Sequence, residues 1–181
     1  MPISDEKIGD FLDHLAARVP VPGGGAAAAL HAAQGAALLG MVARYTTGGR
    51  YAQHEAAIGR IIAEVDELRV LALRLADADA DAFTAVSTAY QLPSSSEEDR
   101  AARSAAIGRA LVQAAWPPAQ VISVAGMVVD LAEALAAIGN RNVLSDVAAA
   151  AEAARAAADQ KLVCLEVIAQ PAPELRGQLF R

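Results

Sequence analysis

Three acidic residues alternate with alanine in residues 77–83, which read DADADAF. Successive residues of an α-helix turn by about 100°, so these carboxylates do not share one helical face. Asp79 alone belongs to a stripe that is otherwise apolar and is formed at spacings of three and four by Leu68, Ala72, Leu75, Ala82, Phe83, Val86 and Tyr90. A buried carboxylate is costly unless it is paired, and burial suits it to general acid–base chemistry. Asp79 is therefore predicted to be a proton-transfer group, or else a buried acid that pairs with an arginine or caps another helix.

A second polar cluster lies in residues 139–146, which read GNRNVLSD. It combines two amides, a guanidinium, a hydroxyl and a carboxylate, on Asn140, Arg141, Asn142, Ser145 and Asp146. Glycine and asparagine tolerate left-handed backbone and a serine can cap a following helix, so the segment is typical of one helix ending and another beginning. The density of polar groups exceeds what one turn requires, and a role in binding or catalysis stands beside the structural one.

The turn at residues 19–25, VPVPGGG, leads directly into an alanine-rich segment. Proline fixes φ and removes N–H donors, whereas Gly23, Gly24 and Gly25 allow another group to approach the backbone closely. A helix that starts here presents unpaired N–H groups and the positive end of its dipole, which suit an anionic or electron-rich ligand. The alternative is a tight turn that packs closely against a neighbouring helix.

Other polar residues have simpler interpretations. Asp77 and Asp81 are i,i+4 neighbours, and their mutual repulsion predicts a solvated face. His31 and Gln34 share one face of the alanine-rich segment and could line a pocket, but the preferred interpretation of the lone His31 is a hydrogen-bonded interior residue. Lys161 lies among apolar neighbours and is expected to extend its ammonium to the surface.

Bulk composition excludes several classes of protein. Of 181 residues, 55% are hydrophobic and only 4% aromatic, with no sustained alternation of apolar and polar residues, which favours an all-α protein. A net charge of −6 argues against nucleic-acid binding. The one cysteine, Cys164, is interpreted as inert core, and the three histidines have no ligand spacing, so no metal site is predicted. The N-terminus lacks the pattern of a signal peptide, and a cytoplasmic location is expected.

Two uncharged or weakly charged segments raise the question of a membrane span. Residues 25–43 carry no formal charge but are mostly alanine and glycine, and residues 119–138 contain Asp130 and Glu133. Each carboxylate would cost about 2.5–3.5 kcal/mol at a bilayer centre. Buried helices of a protein outside the membrane are the better interpretation.

Capping residues and helix-breaking prolines and glycines along the chain predict six helices in one domain over residues 1–181. The first is capped by Ser4 and stopped by Pro20, the second runs from about 25 to 46, and the third from about 51 to 91. Capping boxes of Ser94 with Glu97, or Ser95 with Glu98, begin the fourth. The fifth follows residues 116–118 and ends at 139–140; the sixth is capped by Ser145 and runs to about 169. A short mobile end follows residue 171. The result is an antiparallel bundle of about six helices, including long alanine-rich buried ones.

These segments, in this order, resemble the cyclodeaminase/cyclohydrolase family. It comprises the C-terminal domain of formiminotransferase-cyclodeaminase and stand-alone bacterial methenyltetrahydrofolate cyclohydrolases. The resemblance covers roughly residues 12–150 and rests on the ordered set of 22–25 (PGGG), 41–46 (MVARYT), 77–83 (DADADAF), the break at 92–93, and 139–142 (GNRN) with 145–146 (SD). The chain departs from the family at Ala26, where serine is frequent, and at Ala78, where an acid is common.

The resemblance implies an all-helical homodimer that acts on tetrahydrofolates carrying one or several glutamates. Cyclodeaminases convert 5-formiminotetrahydrofolate to 5,10-methenyltetrahydrofolate and ammonia, whereas cyclohydrolases open the methenyl ring with water to 10-formyltetrahydrofolate. No cofactor beyond the tetrahydrofolate substrate is implied. The alternative is a non-catalytic homodimer of the same fold that binds folate or a protein partner.

The resemblance also suggests roles for the residues singled out above. Asp79, with Asp146 as its competitor, would transfer protons or bind the pterin, and Asn140 would orient the one-carbon group or the attacking water. Arg44, Arg50 or Arg141 would meet the glutamate tail, since guanidinium pairs well with carboxylate. The remaining substrate-binding residues would be Pro22, Gly23, Gly24, Gly25, Asp77, Asn142 and Ser145.

Overall fold

The computed structural model describes residues 2–169, and within them it contains six α-helices and no strand. The helices are α1 (Ile8–Ala16), α2 (Gly24–Tyr45), α3 (Glu55–Tyr90), α4 (Glu97–Ala114), α5 (Trp116–Ile138) and α6 (Leu144–Ala169). Short 3₁₀ turns occupy Ile3–Asp5, Gly49–His54 and Arg141–Val143. The predicted all-α bundle is confirmed, and the predicted end beyond residue 171 lies outside the described residues.

The centre of the bundle is α2, which packs against α3, α5 and α6. Its buried side chains are almost all alanine, and small side chains let the helix axes come close together. At Gly35 a Cβ atom would lie only 2.9 Å from the backbone oxygen of Ala150, so α2 and α6 approach as closely as glycine allows. The long alanine-rich helix is thus a core element, as predicted.

Two stretches, Gly24–Tyr45 and Glu97–Ile138, are long and apolar enough by composition to cross a membrane. In α2, 61% of the apolar window is buried inside the protein, compared with 39% in the second stretch. Burial of this kind in α2 is what a core helix of a globular bundle requires.

Several predicted helix starts were wrong by a few residues. The first helix begins at Ile8 rather than after Ser4, which lies in the preceding 3₁₀ turn. The third begins at Glu55, after a 3₁₀ turn that contains the predicted start, Tyr51. Ser145 lies inside the first turn of α6 and is not its cap, because that helix already begins at Leu144.

The capping box of α4 is real but lies at Ser96 and Asp99, not at the pairs predicted. The Ser96 hydroxyl accepts the Asp99 N–H at 3.0 Å, and the Asp99 carboxylate accepts the Ser96 N–H at 3.0 Å. The Ser95 hydroxyl also donates to Asp99 at 2.7 Å, and this bond, followed by those from Ser96, lowers the pKa of Asp99. The prediction required Glu at the third helical position, whereas the shorter Asp fulfils that role here.

Candidate active site

Asp79 and Lys161 form an ion pair where the C-terminal parts of α3 and α6 meet. The Lys161 Nζ donates to Asp79 Oδ1 at 2.5 Å. The Lys161 side chain is 0% exposed and that of Asp79 is 19% exposed. Asp79 was predicted to be a proton-transfer group or a paired acid, and the structure gives it a partner, although a lysine rather than an arginine. The prediction that Lys161 reaches the surface was wrong, because its ammonium is held inside the bundle by this carboxylate.

The first turn of α2 lies directly against the same carboxylate. A Cβ atom at Gly25 would overlap the carboxylate of Asp79, and one at Gly24 would lie 2.9 Å from Gln160 Nε2. Glycine is therefore required at residue 25 by an acidic side chain from α3 and not by a turn, since Gly24 and Gly25 are already helical. The two motifs that looked separate in sequence, the glycines and Asp79, form one site.

A cavity of about 340 Å³ opens in front of this pair. Its volume falls in the range of small-molecule sites. The polar groups on its wall are the glycine backbone at 23–25, Asp79, Gln160 and Cys164, while Phe83 and Val86 belong to its apolar part. A partly exposed carboxylate surrounded by apolar walls can bind a planar cation and exchange protons with it.

Gln160 was not singled out from the sequence, and the location of Cys164 was misinterpreted. Gln160 Nε2 donates to Cys164 Sγ at 3.3 Å, and both side chains are half-buried on the cavity wall, so the prediction that Cys164 lies in the core was wrong. A usable signal was present: Lys161 interrupts an apolar stripe on α6 in the same way that Asp79 interrupts one on α3. Two opposite charges that interrupt two apolar stripes are candidates for a buried pair.

Asp77 and Pro22 lie beside the site but face a different cavity. Asp77 Oδ1 accepts a hydrogen bond from the Ile3 backbone N–H at 2.7 Å, which attaches the N-terminal segment to α3. Asp77 is half-buried, so the predicted solvated face holds only for Asp81. A cavity of about 460 Å³ lies in this region and is lined by Pro22, Asp77, Asp81 and His14.

The polar cluster at residues 139–146 lies at the opposite end of α2. This helix has 22 residues and is about 33 Å long, and its C-terminal end is bonded to Asn140. The Asn140 backbone N–H donates to Thr46 Oγ1 at 3.0 Å, and its Nδ2 donates to the Tyr45 carbonyl at 2.9 Å. Asn140 Oδ1 accepts the Asn142 N–H at 3.1 Å. Within one chain, Asp79 and Asn140 therefore do not share a cavity.

Arg44 lies at the same distant end. Its Nη2 donates to Asp66 at 2.6 Å and its Nη1 to the Gly40 carbonyl at 3.1 Å. It lines a separate cavity of about 550 Å³ together with Thr46 and Tyr51. Of the other predicted residues at this end, Asn142 and Ser145 are exposed and Asp146 is half-buried.

The bonds of Asn140 predict a measurable contribution to stability. Asn140→Ala removes two side-chain hydrogen bonds, to the Tyr45 carbonyl and from the Asn142 N–H. Each such bond contributes about 0.5–1.5 kcal/mol, so urea denaturation should show a loss of about 1–2 kcal/mol. The exposed Asn142 side chain is the matched control, and Asn142→Ala should change the free energy of unfolding by less than about 0.5 kcal/mol. Equal losses for the two variants would contradict the capping role of Asn140.

Across residues 2–169, no group of three or more His, Cys, Asp or Glu side chains is placed to hold a metal ion. The site as described consists of a carboxylate, an ammonium, a carboxamide, a thiol and the exposed backbone of the α2 start. These groups can bind an organic cation and move protons.

Comparisons with known proteins agree with this architecture. The profile of the formiminotransferase-cyclodeaminase family matches residues 7–167. Methenyltetrahydrofolate cyclohydrolase of Methylorubrum extorquens is 43% identical over 143 residues, which cover 78% of this chain and 69% of that protein. Formimidoyltransferase-cyclodeaminase of Mus musculus is 35% identical over 150 residues, which cover 82% of this chain but only 28% of the mouse protein.

A solved structure extends the similarity to the whole fold. The crystal structure of formiminotetrahydrofolate cyclodeaminase from Thermotoga maritima superimposes with a TM-score of 0.83 at 30% identity, covering 97% of this chain and 84% of that one. The resemblance inferred from the ordered motifs is thereby confirmed, since sequence, family profile and architecture agree. This chain belongs to the formiminotransferase-cyclodeaminase family.

Proposed function

We propose that this protein is a folate one-carbon enzyme that hydrolyses 5,10-methenyltetrahydrofolate to 10-formyltetrahydrofolate. The observation that carries the proposal is the partly exposed Asp79 carboxylate, which faces an apolar cavity beside the glycine backbone of α2. The 43% identity to a methenyltetrahydrofolate cyclohydrolase supports this reaction. The methenyl substrate is a planar cation, which suits a cavity with apolar walls and one carboxylate.

Asp79 is proposed to act first as a base and then as an acid. In the first step a C–O bond forms between water and the methenyl carbon, and one water proton passes to the Asp79 carboxylate. The product is a neutral tetrahedral carbon between N5 and N10. In the second step Asp79 returns the proton to N5 as the C–N5 bond breaks, and the hydroxyl proton is released as the formyl C=O forms. One positioned acid–base group contributes about 10²–10⁴-fold to such a rate.

The proposed reaction needs no cofactor beyond the tetrahydrofolate substrate, because every step moves only water and protons. Binding also increases the rate by holding the pterin close to Asp79, since a fixed geometry replaces a bimolecular encounter. The backbone of Gly23, where a Cβ atom would meet nothing within 4 Å, lets a flat ring approach the start of α2.

A second candidate reaction is cyclodeamination of 5-formiminotetrahydrofolate. The structural similarity to a formiminotetrahydrofolate cyclodeaminase over 97% of the chain favours it. The same carboxylate would take the N10 proton as N10 attacks the carbon of the protonated formimino group, and would give it to the departing amine, which leaves as ammonia. Both reactions pass through a tetrahedral carbon, so one site geometry can serve either.

The absorbance of the methenyl group separates these functions. Purified protein is incubated with 5,10-methenyltetrahydrofolate, and in a second reaction with 5-formiminotetrahydrofolate. A cyclohydrolase consumes the methenyl signal faster than buffer alone, and a cyclodeaminase creates the signal together with ammonia. Absence of both changes would contradict the enzymatic proposal and favour a non-catalytic folate-binding or protein-binding homodimer.

We also propose that the protein is a homodimer that pairs through the outward face of α2. His31 was predicted to be an interior residue, but His31 and Gln34 are both exposed, and they are flanked on this face by half-buried Leu30, Leu38 and Met41. A face with apolar residues around a polar centre suits pairing with a second copy. Two antiparallel α2 helices would bring the Asp79 end of one copy beside the Asn140 end of the other.

This arrangement gives the distant polar cluster a proposed role in the same reaction. In the dimer, Asn140, Asn142, Ser145 and Asp146 of one copy would face the folate bound near Asp79 of the other. Arg44 lies at that end too and would meet the glutamate tail of the substrate. Asp77 and Pro22 stay at the Asp79 end, where the glycine turn and the N-terminal segment meet.

The dimer face predicts a change of oligomeric state. Gln34 is near the middle of α2, so an antiparallel pair places its side chain next to its own copy. Gln34→Glu would oppose two like charges there and should weaken dimerisation at least about tenfold in sedimentation equilibrium. Gln113→Glu, an equally exposed change on α4, is the control and should leave the dissociation constant unchanged. A wild-type monomer at micromolar concentration would contradict the dimer.

Composition and structure support a proposed location in the cytoplasm, with neither nucleic acid nor membrane as partner. The net charge of −6 disfavours polyanions, and the single Cys164 suits a reducing compartment. Fractionation of cells that express the tagged protein, with extraction in the absence of detergent, tests this location.

A further inference from the structure

We propose that Lys161 is a positioning residue, which holds Asp79 as an ionised carboxylate in the orientation needed to accept a proton from the attacking water. This inference rests on the proposed function, and it assigns the buried lysine to the same reaction. Lys161 would act through Asp79 and not on the substrate, since it is fully buried behind the carboxylate that lines the cavity.

Burial of Lys161 is the observation that requires an explanation. An ammonium with 0% exposure has lost its hydration, a cost of several kcal/mol that a bundle of this composition would avoid by placing an apolar residue there. Among residues 2–169, Asp79 is the one acceptor within hydrogen-bond distance of Nζ, and the bond of 2.5 Å is short. Replacement of such pairs by apolar residues is often neutral or stabilising, so retention of the pair points to a role other than stability.

The carboxylate is held from both sides. Oδ1 is bonded to Lys161, while Oδ2 lies closest to the position that a Cβ of Gly25 would occupy. Rotation of the carboxylate would break the ammonium bond or press it against the start of α2. One oxygen is thus committed to the lysine, and the other remains for the substrate, which is the orientation that a single proton acceptor needs.

The net charge of the site stays constant while water adds to the substrate in the proposed reaction. With the methenyl cation bound, the cation, the Asp79 carboxylate and the Lys161 ammonium sum to one positive charge. After water adds and Asp79 takes the proton, the folate and the acid are both neutral, and the lysine carries the one charge. No additional charge is created in the apolar cavity, because the substrate cation and the Asp79 carboxylate are neutralised together while Lys161 keeps its charge.

Three substitutions at residue 161 separate this role from packing. Lys161→Met keeps the length and removes charge and donor, Lys161→Gln keeps a neutral donor, and Lys161→Arg keeps the charge. We expect kcat to fall in the order Arg, Gln, Met, with the methionine variant about 100-fold below wild type and its KM within about threefold. Thermal melting should follow a different order, with methionine at least as stable as arginine, because arginine overpacks a fully buried site, whereas the Asp79 carboxylate that methionine leaves unpaired is partly exposed to the cavity.

Lys7, the exposed lysine before α1, supplies the matched control. Lys7→Met should reproduce wild-type kcat, KM and melting temperature. If kcat instead follows melting temperature across the residue 161 series, or if Lys161→Met keeps wild-type kcat, the positioning role is overturned. If the methionine variant does not fold, the comparison of glutamine with arginine decides in the same way. An inactive wild type would overturn the proposed function itself, and the wild-type reaction detects that separately.

Discussion

Asp79→Asn is expected to lower kcat by about 10²–10⁴-fold in whichever of the two proposed reactions the protein catalyses, because the amide cannot take the proton of water or N10. The substitution keeps the volume of the side chain, and the amide oxygen can still accept from Lys161. The fold should therefore persist, as judged by circular dichroism and thermal melting. KM should change much less than kcat, since the apolar walls and the glycine backbone still hold the pterin.

Asp81 provides the matched control for this substitution. It is on the same helix, two residues further along, and its side chain is exposed and outside the cavity of Asp79. Asp81→Asn should retain kcat within about twofold, as expected of a surface substitution. Wild-type turnover by a folded Asp79→Asn variant would remove Asp79 from the mechanism and direct attention to Asp146.

Asp79 could be singled out from sequence because its neighbours at three and four residues are apolar. Its partner could not, because Lys161 has a flexible four-carbon chain that reaches solvent from many buried positions. Whether the ammonium turns inward depends on a carboxylate 82 positions away in the chain, which comes into range because α3 and α6 both pack against α2. Local patterns can nominate each charge but cannot pair them.

The outward face of α2 shows a second limit of predicting burial from the sequence. Helical periodicity identifies a buried face only where apolar and polar residues alternate around the axis. In α2, alanine surrounds the helix, so His31 looked as if it were enclosed, whereas His31 and Gln34 mark the side that faces away from α3, α5 and α6. Polar residues on an alanine helix are therefore better used as markers of its exposed face.

The cluster at residues 139–146 illustrates why polar density alone does not show what a segment does. Asn140 uses its backbone and side chain to connect the turn between α5 and α6 to the end of α2, as a capping residue does. Capping and catalysis draw on the same short polar side chains, so composition alone does not distinguish them. The position of the turn, about 33 Å along α2 from Gly24, required the three-dimensional fold.

Gly25→Ala is expected to damage both the stability and the activity of the protein. Its Cβ would overlap the Asp79 carboxylate, so either the carboxylate must leave Lys161 or the start of α2 must move. Overpacking of this kind costs about 1–3 kcal/mol, which exceeds the gain of about 1 kcal/mol that alanine brings to a helix. We expect a lower melting temperature and a loss of kcat of about 100-fold, because the proton acceptor is displaced.

Alanine substitution at Gly108, which also lies in an α-helix, is expected to have the opposite effect. It lies inside α4, and a Cβ there would meet nothing within 4 Å, so Gly108→Ala should raise the melting temperature and leave kcat unchanged. The double variant Gly25→Ala with Asp79→Ala tests the cause, since removal of the carboxylate leaves room for the new methyl group. The double variant should lose less melting temperature than the two single variants lose together. Strictly additive losses would show that the added methyl group and the acid do not compete for the same space.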